Sequence, residues 1–150
     1  LGLLHSASDN ATEKAGLVQS AEAIATAVVT NGSRWLWPGT GVLREPCETD
    51  HLTDSNSDGC DADAMQFKGI FTRYLRIYLD EVGDASPQRK EYETFLLKNA
   101  EAVWSKARRP IATLGLNWDG PPPAASLKNA AIAQTSGIDA LLTLVEAAVQ

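Results

Sequence analysis

The chain has 150 residues, of which 44% are hydrophobic and 21% charged, and its formal net charge is −6. These values are typical of one soluble globular domain or of a part of a larger one. The acidic balance argues against nucleic acid and anionic membranes as partners, and no apolar run is long enough to span a bilayer.

The first half of the chain is predicted to hold a helix stub and one amphipathic helix. The opening stretch, LGLLHSASDN, begins within an apolar run, which indicates a chain that starts inside a helix, as a fragment or processed product. Residues 12–30 carry one apolar stripe at helical spacing. Asn10 is the expected N-cap, with Glu13 three residues later, and Asn31-Gly32 is the expected stop.

Three further helices are predicted from residue 63 onward. Residues 63–82 are apolar on more than one face, which predicts a mostly buried helix ending at Gly83. Ser86-Pro87 has the pattern of a helix start, and the stripe that follows to about Arg108 includes Trp104 as a core residue. The last helix is predicted from about Ala125 to Val149.

The helices are predicted to alternate between buried and half-buried, which indicates an all-α fold with an inner and an outer layer. A simple four-helix bundle is the alternative architecture. Two long segments, 31–62 and 110–123, lack helical periodicity and hold Trp35, Trp37 and Trp118. Each of them precedes a helix predicted to be inner, so they are expected to converge at one end.

Cys47 and Cys60 are the only cysteines and lie in one polar loop. They are either a disulfide or two free thiols. Two N-x-[ST] sequons, at Asn10 and Asn31, fall at predicted helix boundaries where a glycan would be exposed. Together these features favour a disulfide, glycosylation at both asparagines, and a secreted protein.

The segment DSNSDGCDADAM, residues 54–65, partly matches a calcium-binding EF-hand loop. Acidic and amide residues fill the first, third and fifth positions, but Met65 stands where a bidentate Glu is required. A thioether is a poor ligand for Ca²⁺. The two histidines have no metal-ligand spacing, so no metal site and no cofactor are predicted.

Aromatic residues and carboxylates in the two loops fit carbohydrate recognition. The loop tryptophans either form a platform for a sugar ring or plug the space beneath the loop. Lys68 lies among apolar residues. It either reaches solvent with its ammonium group or pairs with a carboxylate such as Asp63 or Glu45.

LREPCE followed by DADAMQFKGIFTRYL resembles the signature stretch of glycoside hydrolase family 76, the endo-α-1,6-mannanases and related fungal cell-wall enzymes. GLNWDGP and AQTSGIDALLTLVEAA resemble later segments of that family in the same order, and LGLLHSASDN resembles the end of the helix before them. The resemblance covers nearly all of the chain. It implies an (α/α)₆ barrel of six helical hairpins, of which residues 1–150 would be a single partial domain, about the C-terminal half.

The resemblance also implies a missing element. The family's catalytic pair is two adjacent aspartates on an earlier inner helix, and no Asp-Asp dipeptide occurs in this sequence. No catalytic residue is therefore assigned, and the chain alone is expected to be inactive. The residues that match the cleft-facing region, with an implied role in binding mannose units, are Glu45, Asp63, Gln66, Lys68 and Trp118.

The resemblance sets the expected partners and location. These are α-1,6-mannan or a mannose oligosaccharide, the N-terminal half of the barrel, and an extracellular or cell-wall setting with or without a membrane anchor. No obligate oligomer is predicted. The alternatives are a non-catalytic carbohydrate-binding or calcium-stabilised helical module, and an incomplete gene product whose helices would expose apolar faces.

Overall fold

The computed structural model describes residues 1–48, 60–110, 113–120 and 130–149, with side chains to residue 144. Over these residues the protein is helical, and the only β pairing consists of two isolated bridges, Leu36–Leu43 and Arg108–Leu114. The helices are α1 Gly2–Ala7, α2 Ala11–Val29, α3 Phe67–Val82, α4 Arg89–Ala102 and α5 Ala130–Val149. Within the described ranges, no helix combines the length and apolarity needed to cross a membrane.

Helix α2 begins and ends where the sequence predicts. The Asn10 side chain accepts hydrogen bonds from the backbone N–H groups of Thr12 and Glu13, which satisfies two donors of the first turn. The helix ends at Val29, and Gly32 has a φ of 87°, a conformation that disfavours residues with a Cβ. The predicted cap and stop are both confirmed.

Helix α3 is present, but its buried face differs from the prediction. Lys68, Thr72 and Arg76, spaced four residues apart, are buried, whereas Phe67 and Tyr74 are more than half exposed. The prediction that the apolar residues make this helix mostly buried is therefore wrong for these two aromatics. Polar residues can occupy the buried face because they find hydrogen-bond partners there; Arg76, for example, pairs with Asp80.

Helices α3 and α5 pack closely through small residues. A Cβ at Gly69 would lie 2.6 Å from the Ser136 Cα, and one at Gly137 would lie 2.6 Å from a Leu114 side-chain carbon. The Gly69 N–H donates to Ser136 Oγ at 3.1 Å, which adds a polar contact to the crossing. Gly137, which weakens the helical pattern in the sequence, therefore lies inside α5 where a larger residue would have to displace the Leu114 side chain.

The start and the end of α4 both differ from the sequence prediction. Ser86 does not cap the helix, since its hydroxyl donates instead to Glu22 at 2.5 Å and the helix begins at Arg89. After Ala102 the chain continues as a π-helical turn, Val103–Ala107. Trp104, predicted in the core, is 55% exposed because Val103 takes the buried position. The guanidinium of Arg108 lies 4.0 Å from the Trp104 ring centroid.

The main core joins α2, α3 and α4 with the 36–43 turn and the Leu114–Trp118 segment. Glu22 on α2 links the helices, because it accepts hydrogen bonds from the hydroxyls of Tyr78 on α3 and Tyr92 on α4, each at 2.7 Å. This packing fixes the segments that carry the candidate site. The part of the last helix predicted before Ala130 lies outside the described residues.

Candidate functional site

A buried ionic cluster forms where the 45–48 segment meets the start of α3. Glu45, Glu48 and Lys68 are each at most 3% exposed. The Lys68 ammonium donates to Glu48 Oε2 at 2.7 Å and to the Leu116 carbonyl at 2.5 Å. Lys68 is therefore buried and paired, and it does not reach solvent.

Glu45 binds the backbone of α3 rather than the lysine ammonium. Its Oε1 accepts the Lys68 backbone N–H at 2.7 Å, which satisfies a donor in the first turn of the helix. Its own N–H donates to Glu48 Oε2 at 2.6 Å, so Glu48 is bonded to both other members of the cluster. Glu48 Oε1 is buried without a hydrogen-bond partner.

The burial of Glu45 changes its acidity. Loss of solvation raises the pKa of its carboxyl to about 7, an effect that the positive charge of Lys68 and the Lys68 N–H partly offset. A carboxyl group with such a pKa changes its charge near neutral pH. Groups of this kind are concentrated at functional sites, although structural ion pairs also produce them.

Trp118 forms the wall behind Lys68. Its ring centroid lies 4.9 Å from the Lys68 ammonium, within the range of a cation–π contact, and the side chain is fully buried. In this structure Trp118 therefore fills the space beneath its loop and positions Lys68, and its ring faces are not open to a sugar. A direct role for Trp118 in binding mannose stays a prediction.

The predicted disulfide is present and anchors the cluster. Cys47 and Cys60 are bonded with a Cα–Cα distance of 5.2 Å, and Cys47 lies between Glu45 and Glu48 in the chain. The bond packs into a small second core with Met65 and Leu116. The disulfide therefore joins the acidic segment to the residues just before α3.

The end of the segment that resembles a calcium loop has structural roles. Asp61 Oδ1 accepts the Ala64 N–H at 2.8 Å, which starts a 3₁₀ turn, and Met65 is buried in the second core. Residues 54–59, which hold the remaining candidate ligands, lie outside the described residues. Among the residues that are described, no group of His, Cys, Asp or Glu is arranged to hold a metal ion.

Asp63 and Gln66, the other predicted binding residues, do not join the cluster. Asp63 is exposed, so the sequence-based pairing of Lys68 with Asp63 is wrong, and the partner is Glu48. Gln66 is half-buried and donates locally to the Ala62 carbonyl at 3.3 Å. Sequence reasoning missed Glu48, although its three-residue spacing from Glu45 around Cys47 was a usable signal.

A cavity of about 220 Å³ opens beside the cluster. Trp35 and Phe67 lie at its exposed edge, with exposed fractions of 36% and 54%. The lining consists of aromatic and aliphatic side chains with a few polar groups, and its members are Val28, Trp35, Leu43, Arg44, Glu45, Phe67, Lys68 and Phe71. The site thus combines apolar walls with a buried carboxyl, an arrangement suited to small organic ligands.

Both predicted glycosylation sites are exposed. Asn10 uses only its Oδ1 for the cap, so the amide nitrogen is available for a glycan. Asn31 lies in the turn after α2. Glycosylation at both positions stays a prediction.

Comparison with known proteins does not add to this description: no family model, no curated protein and no solved structure matches the chain.

Proposed function

We propose that this protein is part of a secreted glycoside hydrolase of the endo-α-1,6-mannosidase type, in which it supplies cleft-lining residues but not the catalytic aspartate pair. The ordered resemblance of LREPCE, QFKGIF and GLNWDGP to glycoside hydrolase family 76 motivates the proposal. The described residues add support, because LREPCE, QFKGIF and GLNW pack around the single Glu45–Glu48–Lys68 cluster. The disulfide is typical of oxidising compartments such as the secretory pathway.

The cavity beside the cluster is the main structural support for the proposal. Trp35 and Phe67 offer aromatic surface to the C–H face of a sugar ring, and the half-buried Arg44 is the lining residue that could donate to its hydroxyls. The guanidinium of Arg34 lies 5.5 Å from the Trp35 ring centroid and supports that ring. Because the lining is mainly apolar, we expect most of the contact with a sugar to come from the C–H face of its ring.

Exposed apolar side chains support the partial barrel. Outside the cavity, Tyr74 on α3 and Ile138 and Leu142 on α5 are each more than 40% exposed. Exposed apolar faces on packed helices favour contact with further protein. The proposed occupant is the remainder of an (α/α)₆ barrel.

The decisive experiment measures binding of an α-1,6-linked mannose oligosaccharide by titration calorimetry. We expect Trp35→Ala to weaken binding about two- to tenfold, the effect of losing an aromatic contact of about 0.5–1.5 kcal/mol. Trp104→Ala is the matched control, because Trp104 is exposed but lies outside the cavity. Absence of binding, or equal losses in both variants, would refute the proposed site.

Turnover tests the catalytic half of the proposal. The chain alone should release no reducing ends from α-1,6-mannan, since it lacks the Asp-Asp pair. Release well above an enzyme-free blank would show that catalysis does not depend on residues outside this chain.

A non-catalytic carbohydrate-binding module is the second candidate. It is favoured by one observation: Glu45 is the only carboxylate among the cavity-lining residues given above, whereas retaining glycosidases use two. The two candidates separate when the complete gene product is assayed. Mannan binding without hydrolysis by that protein would favour the module.

A further inference from the structure

A second depression, of about 310 Å³, lies between the turn after α2 and the exposed side of α4. Its floor is formed by the buried side chains of Val29, Leu36 and Phe95. Its rim is polar and includes Thr40, Glu91, Thr94 and Lys98, with the bare backbone of Gly39 and Gly41 between them. An apolar floor with a polar rim is suited to the two kinds of surface on a sugar ring.

Asn31, the acceptor of the second sequon, is itself one of the residues that line this depression. It is exposed, and the turn that carries it is held in place because the Ser33 hydroxyl donates to the Val28 carbonyl at 2.7 Å. The first sugar of a glycan attached to the Asn31 amide nitrogen would therefore start at the edge of the depression. Asn10, the other acceptor, does not line it.

We propose that the first N-acetylglucosamine of a glycan on Asn31 lies in this depression and stabilises the contact between the end of α2, the 36–41 turn and α4. A covalently attached sugar has an effective concentration in the millimolar range near its attachment point. Contacts too weak to bind a free sugar are therefore sufficient here. The inference rests on the secretion that the proposed function requires, but not on binding or cleavage of mannan.

The experiment uses Thr12→Ala protein from a eukaryotic secretory host. This change removes the sequon at Asn10 but keeps the Thr12 backbone N–H that Asn10 caps. Three samples are compared by thermal unfolding: the intact glycoprotein, protein trimmed to a single N-acetylglucosamine, and protein freed of the whole glycan, which leaves Asp at position 31. The Asn31→Asp variant controls for that residue change.

We expect the intact and trimmed samples to share one Tm. The sugar-free sample and Asn31→Asp should melt about 2–4 °C lower, the shift given by one contact of ordinary strength in a domain of this size. Thr94→Arg, which places a long side chain in the depression from an exposed position on α4, should abolish the difference between trimmed and sugar-free protein.

Three results would overturn the inference: no glycan on Asn31, a trimmed sample that melts with the sugar-free one, or a difference that Thr94→Arg leaves unchanged. The outcome is separable from that of the proposed function. The expected Tm pattern in a protein that binds no mannan would refute the function and leave this inference standing.

Discussion

The acidity of Glu45 gives the most direct test of the buried cluster. The Glu45→Gln substitution removes the ionisable group but keeps a carbonyl oxygen that can accept the Lys68 N–H. Because burial raises the pKa of Glu45 from 4.5 to about 7, the folded state retains its proton over a pH range in which the unfolded state has lost it. The folded wild type therefore becomes less stable as the pH rises through this range.

The sign and size follow from proton linkage. Below pH 4.5 Glu45 is protonated in both states, so the protonated carboxyl contributes no pH dependence there. Between pH 4.5 and 7 each pH unit costs the folded state up to about 1.4 kcal/mol, and above pH 7 the full loss, on the order of 3 kcal/mol, is reached. Glu45→Gln lacks this loss, so its stability relative to wild type should rise by that amount between pH 4.5 and 8.

Urea unfolding of both proteins at half-unit pH steps measures the difference. Subtracting the wild-type curve of unfolding free energy against pH from that of Glu45→Gln cancels, to first order, the pH dependence contributed by all other groups. Glu101→Gln, at an exposed site on α4, makes the same change in formal charge and is the matched control. If the Glu45→Gln and wild-type curves stay parallel from pH 4.5 to 8, the assignment of a raised pKa to Glu45 is wrong.

Three further predictions concern stability and are measured by urea unfolding. Lys68→Met leaves Glu48 buried without its cation and should lower the free energy of unfolding by about 3–5 kcal/mol. Adding Glu48→Gln to the same protein should restore much of that stability. A loss under ~1 kcal/mol in Lys68→Met would contradict the buried pair. Gly69→Ala forces a Cβ to within 2.6 Å of the α5 backbone and should cost about 1–3 kcal/mol. Gly16→Ala, on α2 with no neighbour within 4 Å, is the control and should be neutral or stabilising, so equal losses would refute the close crossing. Asn10→Ala should lower the free energy of unfolding by about 1 kcal/mol, and Asn10→Asp should lower it much less because Asp can also cap a helix. Equal losses in the two variants would contradict the cap.

Local features of the sequence predicted local structure. The N-cap at Asn10, the stop at Asn31-Gly32 and the existence of the helices depend on neighbouring residues, and the structure confirms them. The disulfide could be predicted because only two cysteines were available. A pattern read within one segment is sufficient for such features.

The buried face of α3 could not be predicted in this way. Apolarity alone predicts that Phe67 and Tyr74 turn inward, but the polar stripe that begins at Lys68 is buried instead. The partners of Lys68 are distant in sequence, with Glu48 20 residues away and Leu116 48 residues away. Helical periodicity within α3 contains no information about such partners, and this also explains why Glu48 was missed.

The cluster connects the disulfide, α3 and the cavity in one arrangement. Burying the Lys68 ammonium and two carboxyl groups carries a desolvation cost that an apolar core would avoid, so a stability role alone does not explain it. What the charges do provide is position. Lys68 is held at once by Glu48, the Leu116 carbonyl and the Trp118 ring, which come from two separate segments. Because Glu45 and Lys68 also line the cavity, the same contacts that fix the start of α3 fix one wall of the candidate binding site.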